Sequence, residues 1–179
     1  DADALNCLAL VPEVQRDFHA AAVLTPHPGE FARLAQVLGI EADATDASQR
    51  ARGAEELAQR LGCVVVLKAA ATIVSDGHRT WEHDRPNAAL GTAGTGDVLA
   101  GVIGGLLAQH YRRPIVAGER SVPSEGLGGI ALFDAACAGV AAHADAAARW
   151  ATQAGASGGM LASDLLDGIP QSIEALRTG

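Results

Sequence analysis

The sequence predicts an α/β protein with a mainly parallel sheet, and three observations carry that prediction. Apolar runs of strand type, "AAAVLT" at 20–25 and "CVVVLK" at 63–68, alternate with stretches of helical periodicity. The second run is continuous and rich in β-branched residues, the pattern of a strand covered on both faces. The third is "GTAGTGDVLAG" at 91–101, where four glycines and two threonines surround Asp97 before apolar sequence begins. Such a loop allows close backbone approach, and the helix after it offers free N–H groups to an anion. At 179 residues and 49% hydrophobic, the chain suits a single domain spanning 1–179. Aromatics make up only 3%, so the core must be built from Ala, Val, Leu and Ile.

The acidic pair Asp1 and Asp3 precedes an apolar stretch and is expected to cap a first helix. After the strand at 20–25 and the punctuated "PHPGE", Phe31, Leu34, Ala35 and Leu38 form an amphipathic stripe that Gly39 ends. A second helix is expected from the Thr45–Asp46 cap, with Ala54, Leu57, Ala58 and Leu61 inward and Gly62 as its stop. Beyond the strand at 63–68, "TIVSDGHRTWEH" reads as a hairpin turning on Asp76–Gly77. The glycine loop leads into a helix presenting Leu99, Val102, Ile103 and Leu106. Residues 111–129, rich in Gly, Pro and charge, read as a surface loop. "IALFDAACAGVAAHADAAARWA" is a long alanine-rich helix, and "SDLLDGIPQSIEALR" closes the chain with short helical turns begun by Ser163.

A formal net charge of −8 with scattered basic residues argues against nucleic acid or an anionic membrane as partner. The run "VLAGVIGGLLA" is too short and glycine-rich to span a bilayer. Cys7, Cys63 and Cys137 lack metal-ligand spacing and read as reduced, buried residues of a cytoplasmic protein. His78 and His83 flank a strand without a cysteine or carboxylate cluster, so no dedicated metal site is expected.

Three motifs carry the chemistry. In "TPHPGE" the prolines hold Thr25 and His27 extended, and His27 stands between a strand end and a helix start, the edge where open sheets bind ligands. His27 serves there either as a helix cap or as a ligand contact. In "KAAAT", Lys68 ends a buried strand on the same edge, placed to meet a phosphate or simply to be solvated. "GTGD" lacks the lysine and hydroxyl of a Walker loop, yet it can supply amide donors, a helix dipole and a base for phosphoryl transfer. Asp97 is that base, or else a cap. His143, inside the alanine-rich helix, reads as a packed histidine.

In order and spacing, "DADALN", "TPHPGEFARL", "KAAATIV" and "NAALGTAGTGDVLAGVIGGLLA" resemble the ADP-dependent NAD(P)H-hydrate dehydratases. The resemblance implies a ribokinase-like three-layer αβα sandwich. It also implies a repair reaction in which hydrated NADH or NADPH is phosphorylated by ADP and then loses phosphate, leaving AMP. By motif, Asp97 is the catalytic base, and His27 and Asp97 contact the hydrated dinucleotide. Lys68, Ala69, Ala70, Ala71 and Thr72, with Gly94, Thr95 and Gly96, line the nucleotide site. ADP as co-substrate (ATP being the alternative), Mg2+ and homo-oligomeric assembly are implied by the same resemblance. Ala69 replaces a common glycine and Ala88 a common proline. The loop at 111–129 looks longer than usual, and the family's sheet begins well before "DADALN", so the chain is expected to be the C-terminal portion of such a domain. A ribokinase-like small-molecule kinase and a nucleotide-binding module without turnover are the competing expectations.

Overall fold

The computed structural model describes residues 1–110 and 130–178. The chain runs α1 (Asp3–Leu8), α2 (Val14–Asp17), β1 (Val23–Leu24), α3 (Pro28–Leu38), α4 (Arg50–Leu61), β2 (Val64–Leu67), β3 (Thr72–Ser75) and β4 (Thr80–His83). A 3-10 turn (Ala88–Gly91) then leads to α5 (Thr95–His110), α6 (Leu132–Ala154) and α7 (Asp164–Thr178). The sheet order is β1-β2-β3-β4. β1 and β2 pair in parallel, while β2–β3 and β3–β4 are antiparallel, so the sheet is mixed with its parallel pair at the start.

The layering follows from the two-residue period of β2. Val65 and Leu67 join Phe31, Leu34, Leu57 and Leu61 from α3 and α4 on one face. Val64 and Val66 join Leu99 and Ile103 of α5 and Phe133 and Val140 of α6 on the other. Both faces are covered, which is why the run carries no polar alternation. A third cluster seats Met160, Leu165 and Ile169 against Ala146 and Ala147 of α6. Small residues let these helices approach closely. A Cβ on Gly139 would lie 2.5 Å from Ile103, and one on Gly168 would lie 3.1 Å from Ala146. Among the described residues no helix is long and apolar enough to cross a membrane.

The helices at 28–38 and 50–61 end at Gly39 and Gly62, both left-handed, as their stop signals predict. Other expectations need correction. The strand expected at 20–25 is only Val23–Leu24. α4 begins at Arg50 rather than at the Thr45–Asp46 cap, because the loop itself uses those carboxylates. Asp43 accepts from the Thr45 backbone and hydroxyl, and Asp46 accepts from the Ser48 backbone and hydroxyl. Asp1 and Asp3 make no side-chain cap on α1. The carboxylate of Asp1 turns instead to Thr25 and Lys68. The C-terminal segment is one helix that accommodates Pro170, not a series of short turns, since its apolar face packs along α6. Cys7 is exposed, against the expected burial, whereas Cys63 is buried and Cys137 half-buried. The surface loop expected at 111–129 lies outside the described residues.

Candidate active site

β1 delivers the chain into Pro26–His27–Pro28, and the two prolines set the local backbone geometry. His27 is extended (φ −83°, ψ 169°) and occupies the N-cap of α3. Its Nδ1 accepts from the backbone N–H of Gly29 at 3.0 Å and of Glu30 at 3.4 Å. That network assigns the ring proton to Nε2, which faces Glu30 Oε1 at 3.4 Å. Glu30 Oε2 accepts the His27 backbone N–H at 2.8 Å, completing a capping box. Gly29 has to be small, because a Cβ there would meet His27 Cε1 at 2.9 Å. His27 is therefore a helix cap, yet 52% of its side chain stays open to solvent.

Lys68 comes directly after β2, and its backbone N–H bonds the Pro26 carbonyl at 2.8 Å, tying the two strand ends together. Its Nζ lies 2.5 Å from Asp1 Oδ1, which also accepts from the Thr25 hydroxyl at 2.8 Å, and 4.0 Å from Glu30 Oε2. Burial pushes the ammonium below its usual range, while the charges of Glu30 and Asp97 pull it back up. Lys68 is the chain's only lysine; the remaining members of the Lys/Arg class are arginines. On its far side is α5. A Cβ on Gly96 would stand 3.3 Å from Nζ, so glycine there leaves the first turn open to this ammonium.

Gly94 takes φ +88°, a value suited to glycine, and its carbonyl accepts the N–H of Val98 to open α5. The Thr95 hydroxyl donates to the carbonyls of Leu90 and Thr92, each at 2.9 Å, bracing the loop against the 3-10 turn. From α6, buried His143 donates Nε2–H to the Thr95 carbonyl at 2.9 Å. This is the packed histidine that the sequence suggested, and it also holds the glycine loop in place. Burial lowers its pKa below the ordinary 6.5. The folded state thus resists the proton that the unfolded chain accepts, and stability is lost as pH falls from about 6.5 through the lower folded value. His83, lowered by burial and by Arg85, adds to the same slope. The melting temperature is therefore expected to drop between about pH 7 and pH 5, and to drop less in His143→Gln.

These elements enclose a cleft of about 480 Å³. Lys68, Ala69, Ala70, Thr72, Thr95 and Gly96 line it, so six of the eight proposed nucleotide residues meet there; Ala71 and Gly94 are not part of its lining. His83, Arg85, Asn87 and His143 also line it, and the sequence reading assigned them no role there. A signal existed in the hairpin register. A turn at Asp76–Gly77 pairs Thr72 with His83, which puts the residues after β4 on the same sheet edge as Lys68. Asp97, in the first turn of α5, is exposed and faces a shallower groove lined by Val98, Val102, Leu166 and Ile169. The cleft and Asp97 thus flank the two sides of one helix start. Among the described residues no group of three His, Cys, Asp or Glu side chains is arranged to hold a metal.

The family described as carbohydrate kinase, NAD(P)H-hydrate dehydratase, matches residues 1–171. The bifunctional NAD(P)H-hydrate repair enzyme of Escherichia coli is 39% identical over 97% of this chain and 28% of its own length. The ADP-dependent (S)-NAD(P)H-hydrate dehydratase of Neisseria meningitidis is 36% identical over 92% of this chain and 49% of its own. The ADP/ATP-dependent NAD(P)H-hydrate dehydratase of Bacillus subtilis, co-crystallized with ATP/Mg2+, superimposes with a TM-score of 0.65 at 29% identity, covering 87% of this chain and 48% of that one. A ribokinase-like superfamily protein of Enterococcus faecalis shares the fold, with a TM-score of 0.60 at 22% identity over 98% of this chain and 59% of its own. The chain spans about half, or less, of the length of the dehydratases it matches. Fold, motif order and sequence likeness agree: the chain belongs to the NAD(P)H-hydrate dehydratase family, on a ribokinase-like α/β fold.

Proposed function

We propose that this chain takes part in returning hydrated NADH or NADPH to the intact dinucleotide at the expense of ADP, with AMP and phosphate released. One observation supports it above the others: the lone lysine reaches the open first turn of α5 beside a cleft of about 480 Å³. A diphosphate suits that corner, because helix amides and an ammonium both stabilise anionic oxygens. Asp97, across the helix start, takes the proton of the substrate hydroxyl as that oxygen attacks the terminal phosphorus of ADP. The phosphorus–oxygen bond to AMP breaks, and the amides of Gly94 to Gly96 hold the phosphoryl group in passage. The carbon–oxygen bond of the phosphate ester then breaks, a neighbouring carbon loses a proton, and the ring double bond returns. Mg2+ accompanies the nucleotide, as in the Bacillus subtilis ATP/Mg2+ co-crystals. Homo-oligomeric assembly, which rests on the resemblance, and a cytoplasmic setting, which rests on the cysteine usage, belong to the same reading.

The test is recovery of the near-ultraviolet absorbance of the reduced nicotinamide from hydrate, run with ADP and with ATP. A stable phosphorylated product without that absorbance would instead indicate a small-molecule kinase, and nucleotide binding without turnover a binding module. Within the same reading, His27→Ala is expected to weaken the hydrated dinucleotide far more than ADP. Lys68→Ala is expected to do the reverse. Paired affinity titrations check both, and equal losses for the two ligands in either variant would overturn that variant's assignment.

A further inference from the structure

Glu30 is a charged residue, only 5% exposed, that the proposed reaction leaves without a task. Its two oxygens reach both halves of the site. Oε2 accepts the His27 backbone N–H at 2.8 Å, Oε1 stands 3.4 Å from His27 Nε2, and Oε2 stands 4.0 Å from Lys68 Nζ. A capping box needs only the first of these contacts. Burying a carboxylate costs free energy unless it is hydrogen-bonded and paired, and here the pairing is with the chain's only lysine. Lys68 in turn faces Gly96 on α5, where an added Cβ would stand 3.3 Å from Nζ. One side chain therefore links the start of α3, which carries His27, to the start of α5, which carries the glycine loop and Asp97.

We propose that Glu30 is a positioning residue that sets Lys68 and His27 relative to each other, so that the nucleotide half and the dinucleotide half of the site are held in one arrangement. What the two halves bind rests on the proposed dehydratase function; the linkage itself does not. The charges around Lys68 are the carboxylate and α-amino group of Asp1 ahead of α1, Glu30 on α3 and Asp97 on α5, with His83, Arg85 and His143 of α6 lining the same cleft. Of these, Glu30 is the group whose neutralisation preserves the fold most simply. In Glu30→Gln the amide oxygen still accepts the His27 N–H, and the Glu30 charge is removed while Asp1 and Asp97 stay beside Lys68.

Because Lys68 is the only lysine, the full chain labelled with [13Cε]lysine gives one lysine signal whose pH titration tracks this group directly. In nucleotide-free protein, Glu30→Gln is expected to move that midpoint down by about one pH unit, the low end of what an opposite charge at this separation produces. Glu30→Asp, which keeps a charge on a shorter arm, should recover part of the shift. In ADP titrations, Glu30→Gln should weaken binding about threefold to tenfold, and should weaken it no further in a Lys68→Ala background, as coupled neighbours do. An unmoved lysine midpoint, or an equal loss of ADP affinity in both backgrounds, overturns the proposal. If the unaltered chain binds no ADP, the functional reading falls, and the lysine titration alone still decides the role of Glu30.

Discussion

Asp97→Asn is expected to remove hydrate repair while leaving ADP binding nearly intact. Asparagine keeps the shape of the side chain but cannot take the hydroxyl proton, and loss of a general base slows turnover by about 10²- to 10⁴-fold. ADP affinity should survive because the nucleotide cleft is built from Lys68, Thr72, Thr95 and Gly96 on the other side of the helix start. Single-turnover absorbance recovery and an ADP titration on the same preparation separate the two effects. A variant that keeps about a tenth of the normal rate or more would reduce Asp97 to an acid in the first turn of α5, a position that contributes about 0.3–1 kcal/mol to the helix. Thermal melting would then register the substitution more clearly than turnover does.

The second large effect concerns Phe31, and it is on stability. Its ring is 1% exposed, in the first turn of α3 directly after Glu30. The ring edge fills the space that a Cβ on Gly53 would need, 2.8 Å from Cζ, so α3 and α4 meet through this pair. Truncation to Ala leaves a cavity that neither backbone can close, and buried Phe→Ala changes cost about 3–5 kcal/mol. That is a large part of the roughly 5–15 kcal/mol that holds a domain together. Urea unfolding of Phe31→Ala should show a midpoint shift of that size with an unchanged slope. A loss below about 1 kcal/mol would mean that the α3–α4 contact collapses around the gap. Since Phe31 fixes the turn that carries His27, substrate affinity should fall with stability in this variant, unlike in Asp97→Asn.

Much of the fold was legible without coordinates wherever a local rule decided it. The apolar run at 63–68 could only be a strand covered on both faces, and the structure places helices on each side of β2. Gly39 and Gly62 stop their helices because a left-handed residue ends an α-helix whatever surrounds it. The Asp76–Gly77 turn fixes a hairpin through its own backbone preference. The same holds for the glycine loop, where the glycines ahead of Asp97 already implied the helix start that Gly94 and Thr95 make. Local signals failed where side chains had a choice of partners. Asp1 and Asp46 both sit where a cap is plausible, but Asp1 bonds residues far along the chain and Asp46 serves its own loop.

By itself, then, the sequence determined the family, most of the element order and which residues to propose for the site, because each depends on short motifs whose conformation is set by neighbouring glycines, prolines and apolar periodicity. Tertiary structure alone decided how those residues meet. It assigned His27 to the cap of α3, set Lys68 among Asp1, Glu30 and Gly96, joined His83, Arg85 and His143 to the cleft, and turned Asp97 to the opposite side of the helix start. These contacts join residues many positions apart, and their geometry is fixed by how the helices pack on the sheet rather than by any stretch of sequence around them.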